Sequence, residues 1–233
     1  MNKQEFLEEL AKLGINLTND QIDKLARFYQ LLVTWNEKIN LTTIIKEEEV
    51  YLKHFYDSLT LIKVIDLRQP LTILDVGTGA GFPGIVLKIV FPNLKITLLD
   101  SLTKRINYLN EIIKELDLHD IETVCSRCEE YTKINREKYD LVVARAVSHL
   151  KILSEMIIPT VKVNGYFIAM KANLNDELEK TIPMLKKLNS ELKEIKEFSL
   201  PIENSKRTLV VIEKNAKTAL LYPRKYSEIK KMK

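Results

Sequence analysis

The sequence DVGTGAGFPG, residues 75–84, holds four of the chain's six glycines. The apolar run TILDVG (72–77) leads into it and predicts a buried strand. A helix is predicted to begin near Gly84, because proline is tolerated in the first turn of a helix. A strand, a glycine cluster and a helix in this order predict a tight turn where the backbone comes close to a ligand.

Short apolar strands alternate with amphipathic helices after this loop. The predicted strands cover 72–77, 95–100, 121–125, 139–145, 165–171, 191–200 and 207–213. This alternation predicts an α/β fold with a mostly parallel seven-stranded sheet, since parallel neighbours need crossover helices. The segment between the last two strands is too short for such a helix, so one terminal strand is expected to be antiparallel.

Two further segments flank the predicted sheet domain, which spans residues 67–213. Residues 1–66 predict an N-terminal helical cap of three helices, the third covering about 46–64. Residues 214–233 carry seven Lys or Arg and one acid, which makes them a basic C-terminal tail. Such a tail is expected either to contact a polyanion or to remain solvated.

Composition narrows the classes of protein to consider. The 233 residues are 45% hydrophobic and 29% charged, which is typical of a globular chain with a sizeable core. No run approaches the roughly 18 apolar residues of a membrane span, and the first residues lack the apolar core of a signal peptide. Two cysteines make no disulfide framework. We therefore expect a cytoplasmic monomer without a membrane partner.

Two cofactors fit the glycine loop. Residues 79–84 match the G-x-G-x-x-G fingerprint of dinucleotide enzymes, with Asp100 21 positions after Gly79. Residues 75–81 also match Asp-x-Gly-x-Gly-x-Gly, a pattern of S-adenosylmethionine enzymes. The acid before the first glycine, the seven strands and a chain too short for a second catalytic domain favour the methyl donor. In both interpretations Asp100 accepts hydrogen bonds from ribose hydroxyls.

Several motifs occur in order along the chain and resemble those of one family. They are WNEKINLT (35–42), HFYDSL (54–59), DVGTGAGFPGI (75–85), TLLDS with KR (97–105), SRCEEY (126–131) and ARAVSHL (144–150). They are similar to the ribosomal RNA small subunit methyltransferase G family, also called glucose-inhibited division protein B. The resemblance runs from residue 5 to about 225.

This resemblance implies a fold and a reaction. The fold is that of class I S-adenosylmethionine-dependent methyltransferases, with a Rossmann-like sheet. The reaction is methyl transfer to N7 of one guanine in the decoding-region loop of 16S ribosomal RNA. The substrate is either the naked RNA or a small-subunit ribonucleoprotein particle.

The resemblance also implies residues of the cofactor site. Besides Asp100 and the loop residue Gly79, these are Gly77, Phe82, Cys128, Glu129 and Arg145. Cys128 and Glu129 would border the adenine. Arg145 stands where methyltransferases of exocyclic amines carry Asn/Asp-Pro-Pro-aromatic. Because guanine N7 has a lone pair and no proton, no general base is needed, and Arg145 is expected to position rather than to take a proton.

Three further polar residues are weaker candidates. His54 and Asp57 lie three positions apart on the third helix and face the same way. They form either a wall of the guanine pocket or a structural contact between cap and sheet. Lys171, which ends the fifth strand, is expected either to bind an RNA phosphate or to be an exposed strand end.

A C-x-x-C pair at Cys125 and Cys128 is the one metal-like motif, but the three histidines offer no paired spacing, so no metal is expected. Two other functions stay open. One is a nicotinamide-dependent reductase that uses the same loop, and binding of NADH would favour it. The other is a non-catalytic rRNA-binding assembly factor, which would bind the cofactor without transferring a methyl group.

Overall fold

The N-terminal segment is helical. The structure is a computed structural model and describes residues 1–146, 148–174 and 176–232. The first helices are α1 (Lys3–Lys12), α2 (Asn19–Ile39), α3 (Glu47–Val50) and α4 (Asp57–Leu59); the π-helical stretch Tyr51–Tyr56 joins the last two, and a 3₁₀ turn, Thr60–Lys63, follows. Asn2 and Thr18 begin α1 and α2 with capping boxes. The third predicted helix is therefore one helical run of mixed type.

A seven-stranded sheet with flanking helices follows. Its strands are β1 (Thr72–Val76), β2 (Lys95–Asp100), β3 (Ile121–Cys125), β4 (Tyr139–Arg145), β5 (Val161–Lys171), β6 (Ser190–Ser199) and β7 (Lys206–Lys214). The helices between and after them are α5 (Gly84–Val90), α6 (Thr103–Glu115), α7 (Cys128–Ile134), α8 (Leu150–Ile157), α9 (Glu177–Lys187) and α10 (Tyr226–Ile229).

The strand order is β3-β2-β1-β4-β5-β7-β6. Strands β1 to β5 are parallel, and β7 is antiparallel to both of its neighbours, β5 and β6. The predicted α/β class, the number of strands and the antiparallel terminal strand are confirmed. Because the order reverses beside β1, the ends of β1 and β4 form the crevice where α/β sheets bind ligands.

Two apolar cores cover the two faces of the sheet. The first contains residues of α1, α2 and the π-helical stretch together with α5 and α6. Within it the ring of Phe28 lies 5.6 Å from that of Phe55 and 5.4 Å from that of Phe82, centroid to centroid. The second core lies under α7, α8 and α9. The N-terminal segment therefore shares its core with the glycine loop.

The C-terminal tail is packed on the protein, which neither sequence interpretation anticipates. Lys214 is 1% exposed, and its ammonium donates to the carbonyls of Ile158 and Val161. Farther along, the Arg224 guanidinium forms two hydrogen bonds with the carboxylate of Glu155. Ile229 of α10 is fully buried in the second core. These contacts hold the tail against α8.

Some elements differ from the prediction at their edges. Helices α7 and α10 lie in segments for which no helix is predicted, because each is too short to show a period. Val147 of the ARAVSHL motif, Asn175 and Lys233 lie outside the described residues. Within the described ranges, no helix has the length and apolar composition needed to cross a membrane.

Candidate active site

A deep cleft lies at the carboxyl ends of β1, β4 and β5, with a volume of about 760 Å³. Its walls come from the glycine loop, the π-helical stretch, the ends of β4 and β5, and the start of β7. A smaller cavity of about 300 Å³ adjoins it at the end of β2. Both are lined by Gly77, Arg105, Arg145 and Ala146. Together they form a continuous trough across the switch point.

The four clustered glycines have two different reasons to be glycine. A Cβ on Gly81 would lie 2.6 Å from Ile85 Cγ1, and one on Gly84 would lie 2.3 Å from Leu98 Cδ2, so internal packing excludes side chains there. A Cβ on Gly79 would meet only Gly77 O, at 3.8 Å. Gly77 and Gly79 have φ of 67° and 60° and line the cleft. Their bare backbone is therefore a surface offered to a ligand.

Asp75 holds the glycine loop together. Its fully buried carboxylate accepts hydrogen bonds from the Thr78 hydroxyl at 2.7 Å and the Gly84 N–H at 2.9 Å, both through Oδ2. Burial raises the pKa of this carboxyl to about 6. Its second oxygen, Oδ1, is buried and has no hydrogen-bond partner in the described part of the chain. The loop thus leaves one buried acceptor unused at its base.

Asp100 lies where a ribose acceptor is expected. It ends β2, is 4% exposed and lines the smaller cavity. Its Oδ2 accepts from the Gly79 N–H at 3.1 Å and from Arg105 Nη1 at 3.1 Å, while Oδ1 accepts from the Leu102 N–H at 3.0 Å. Asp100 is therefore fixed beside the glycine loop.

The opposite wall of the smaller cavity is the start of α7. Cys128 lines it, and burial raises the pKa of this thiol to about 12, which keeps it protonated and poorly nucleophilic. Glu129 follows at 9% exposure, and no cation pairs with it among the residues that the structure describes. Cys125 is exposed, and the described ranges contain no group of three metal-ligating side chains.

A buried polar network forms the floor of the larger cleft. Arg145 Nη1 lies 3.3 Å from Asp57 Oδ2 and 2.9 Å from the carbonyl of Lys53, and Arg145 Nη2 lies 3.2 Å from His54 Nδ1. Arg207 Nε donates to the other oxygen of Asp57 at 3.0 Å. One carboxylate thus ties the end of β4 and the start of β7 to the N-terminal helices.

His54 is neutral in this network. Burial, reinforced by the nearby Arg145 charge, lowers its pKa to about 3. Its Nε2 lies 3.1 Å from the Thr42 hydroxyl, and its ring stacks on Phe82 with centroids 4.4 Å apart. His54 Nδ1 lies 3.2 Å from the donor Arg145 Nη2 and 3.1 Å from the acceptor carbonyl of Lys53, so either ring nitrogen can carry the proton. A His with both nitrogens engaged and a low pKa is a poor proton acceptor.

Lys171 has partners inside the protein. Its ammonium donates to the carbonyl of Ser148 at 2.6 Å and to Glu177 at 2.9 Å. Glu177 also accepts from the N–H of Leu150, the first residue of α8. Lys171 lines the cleft, yet in this structure it ties the segment after β4 to α9.

A comparison with known protein families shows which family the chain belongs to. The sequence profile described as rRNA small subunit methyltransferase G matches residues 21–210. Proteins named ribosomal RNA small subunit methyltransferase G from Bacillus cereus and Bacillus thuringiensis are each 49% identical to this chain, over 97% of it and 95% of their own length. The chain belongs to this family. Membership decides the choice of cofactor in favour of S-adenosylmethionine, and the nicotinamide reading is wrong.

Solved structures agree with the methyltransferase G family in fold. An S-adenosylmethionine-dependent methyltransferase from Aquifex aeolicus has a TM-score of 0.54 at 20% identity, over 72% of this chain and 93% of its own. A fibrillarin from Aeropyrum pernix in complex with S-adenosyl-L-methionine has a TM-score of 0.53 at 12% identity, over 67% and 73%. The protein therefore has the predicted class I methyltransferase fold.

The structure brings most of the residues singled out in the sequence to the trough. Those that line it are Gly77, Gly79, Phe82, Asp100, Cys128, Arg145, His54, Asp57 and Lys171. Glu129 adjoins it through Cys128. Sequence reasoning missed Lys53, Arg105 and Arg207, which also line the larger cleft. The sequence did carry a signal for Arg207, because a β7 strand antiparallel to β5 must start beside the end of β5, where the cleft lies.

Proposed function

We propose that this protein transfers a methyl group from S-adenosylmethionine to N7 of a guanine in 16S ribosomal RNA. Membership of the methyltransferase G family supports the class of substrate, and the relatives carry that name. The observation that carries the choice of atom is the cleft floor, where no side chain in the described part of the chain is free to take a proton. Asp57 is held by Arg145 and Arg207, and the pKa of His54 is lowered to about 3. Attack by the N7 lone pair needs no proton acceptor.

The trough has the features that the cofactor requires. Gly77 and Gly79 offer backbone without side chains, and Asp100 offers acceptors for ribose hydroxyls. Glu129 is a buried residue that follows Cys128, which lines the smaller cavity. When bound, S-adenosylmethionine supplies a methyl group on a positive sulfur.

The larger cleft holds and orients the guanine. Arg145 is fixed by Asp57 and by two groups of the π-helical stretch, so its guanidinium has a defined position. His54 stays neutral and adds no positive charge where the purine becomes cationic. Arg145 is therefore the main positioning residue, with His54 and Lys171 as lesser candidates. Orientation of this kind supplies a large share of many enzymatic rate enhancements.

The same proposal covers the partner, the cellular location and the oligomeric state. The partner is 16S ribosomal RNA, free or in a small-subunit particle, in the cytoplasm. We also propose that the protein acts as a monomer, as expected from the sequence. The domain limits proposed from the sequence, 1–66, 67–213 and 214–233, separate the cap, the methyltransferase domain and the tail.

The test is mass spectrometry of 16S ribosomal RNA from cells with and without this protein. We expect one 7-methylguanine in the decoding region to disappear, and addition of protein and S-adenosylmethionine to the unmethylated RNA or particle to restore it. Loss of a methyl group on another atom would overturn the choice of N7. Binding of cofactor and RNA with no methyl transfer to either substrate would favour the assembly-factor alternative.

A further inference from the structure

Arg105 is a cation of the cleft to which the proposed function gives no role. It is the third residue of α6, in the KR pair that follows Asp100 in the sequence. Helical side chains tilt toward the N-terminus of their helix, and Arg105 accordingly reaches back over the end of β2. There its Nη1 lies 3.1 Å from Asp100 Oδ2. Its guanidinium lines both cavities and stands at their junction.

Arg105 occupies an acceptor that a ribose needs. Asp100 receives three hydrogen bonds, two of them from the backbone N–H groups of Gly79 and Leu102. Those two donors are fixed by the glycine loop and by the turn into α6. Arg105 is the third donor and the only one on a flexible side chain, of which 32% is exposed. The hydroxyls of a ribose that binds Asp100 therefore replace Arg105 as a donor more readily than they replace either backbone N–H group.

The other cations of the cleft are paired with anions that the cofactor leaves alone. Arg145 and Arg207 share Asp57, Lys171 is paired with Glu177, and Lys53 is paired with Glu49 and Glu203. Among the five cations named here, Arg105 is therefore the one paired with an acid of the cofactor site. Breaking this pair releases a cation into a cleft whose other named cations are each paired with an acid.

We propose that the cofactor displaces Arg105 from Asp100 and that the freed guanidinium binds a backbone phosphate of the RNA. Ribose hydroxyls then satisfy Asp100 without neutralising Arg105, so the cleft gains one positive charge available to RNA. Cofactor binding therefore strengthens RNA binding, and by linkage RNA strengthens cofactor binding by the same factor. This inference rests on the proposed function and adds to it a coupling between cofactor binding and RNA binding.

The experiment measures RNA affinity with and without S-adenosylhomocysteine, which carries no sulfonium charge and transfers no methyl group. The probe is a transcribed small-subunit rRNA fragment that contains the decoding region. In the wild-type protein we expect the ligand to raise RNA affinity about fivefold or more. The slope of log K against log salt should also steepen by about 0.7, the value for one added phosphate contact on a single strand.

Arg105→Gln removes the charge, so both the coupling and the added slope should vanish while S-adenosylhomocysteine binds at least as tightly. Arg27→Gln is the matched control, because Arg27 is paired with Glu115 at the far end of α6. It should keep the full coupling. Coupling that persists in Arg105→Gln, or a loss of S-adenosylhomocysteine affinity there, would overturn the proposal.

The measurement on the wild-type protein alone also tests the release of Arg105, even if the Arg105→Gln variant is unstable. A wild-type protein that binds both ligands with no coupling and an unchanged salt slope contradicts the release of Arg105 and leaves the proposed function intact. A wild-type protein that binds neither S-adenosylhomocysteine nor the RNA contradicts the proposed function itself.

Discussion

The two ends of the chain both lie outside the alternating strands and helices, but they do different things. The N-terminal helices share a core with the glycine loop and contribute Lys53, His54 and Asp57 to the cleft. The tail after β7 packs beside α8 and contributes none of the described residues that line the cleft. The N-terminal end therefore builds the site, and the C-terminal end supports the fold behind it.

An arginine–carboxylate contact helps to fix each end. Asp57 of the N-terminal segment meets Arg145 at the end of β4, where both groups face the cleft. Arg224 of the tail meets Glu155, whose side chain is 0% exposed, within α8. The same kind of contact thus orients Arg145 in the cleft at one end and anchors the tail to α8 at the other. Variants at the two contacts should separate activity from stability.

The largest effect is expected from removing residues 215–233. The deletion leaves Glu155 buried without Arg224 and uncovers the surface that Ile229 fills. Breaking a buried pair from one side costs about 3–5 kcal/mol, so we expect the free energy of unfolding to fall by about that amount. Urea denaturation measures it, with Lys225→Gln as an exposed tail control. A fully stable deletion protein with a flatter salt dependence of RNA binding would restore the free-arm interpretation.

Arg145→Ala tests the other contact. It removes the group that Asp57 and the π-helical stretch hold at the cleft floor, and misplacement of a substrate lowers rates by about 100-fold. We expect a loss of that size in single-turnover methyl transfer. Arg136→Ala is the control, since Arg136 binds the tail carbonyls of Thr218 and Tyr222. It should lower stability and leave the rate unchanged; equal rates for both variants would erase the distinction between the ends.

Asp100→Ala sharpens the comparison, because Asp100 belongs to the sheet and to neither end. The variant removes an acceptor from the ribose site, which costs about 1–3 kcal/mol in cofactor binding. Calorimetry with S-adenosylhomocysteine should show this loss, while RNA binding without cofactor should strengthen, because Arg105 is no longer paired with Asp100. Asp66→Ala removes an exposed carboxylate before β1 and serves as control. Unchanged affinity in Asp100→Ala would remove this residue from the cofactor site.

The smallest effect is expected from pH. The pKa of His54 is lowered to about 3, so His54 is neutral from pH 7 to 9 and the methyl-transfer rate should be flat there. A limb that rises with pH and disappears in His54→Asn would show a general base and contradict attack by a free lone pair.

Stability responds to the same group at lower pH. The folded pKa of His54 lies below its ordinary value of 6.5, so below that pH the unfolded chain binds a proton that the folded chain does not. His54 therefore lowers stability as pH falls from about 6.5 toward 3. Asp75, with its pKa raised to about 6, acts in the opposite sense between its ordinary value of 3.8 and that value. We expect the free energy of unfolding to fall less between pH 7 and pH 5 in His54→Asn than in the wild type. Urea denaturation at the two pH values measures this difference.

Local sequence patterns were enough to predict the sheet and about half of the residues that line the trough. The strand, the glycine cluster and the acid at the end of β2 are contiguous signals, and they place Gly77, Gly79 and Asp100 together because parallel strands end at one edge. Arg145 follows from the same rule at the end of β4. Resemblance added the identity of the methyl donor, which spacing alone left open between two cofactors.

Long-range contacts decided the rest. The charge of Arg207 gave no hint that it lies 3.0 Å from Asp57, 150 positions away, and the basic composition of the tail gave no hint that Glu155 fixes Arg224. A charge pattern reports composition along the chain, whereas pairing depends on which surfaces the core brings together. The sequence by itself determined the α/β fold, the cofactor loop and the family. Only the tertiary structure decided which charges are buried, which are paired and which can be released, because desolvation depends on the neighbours in space.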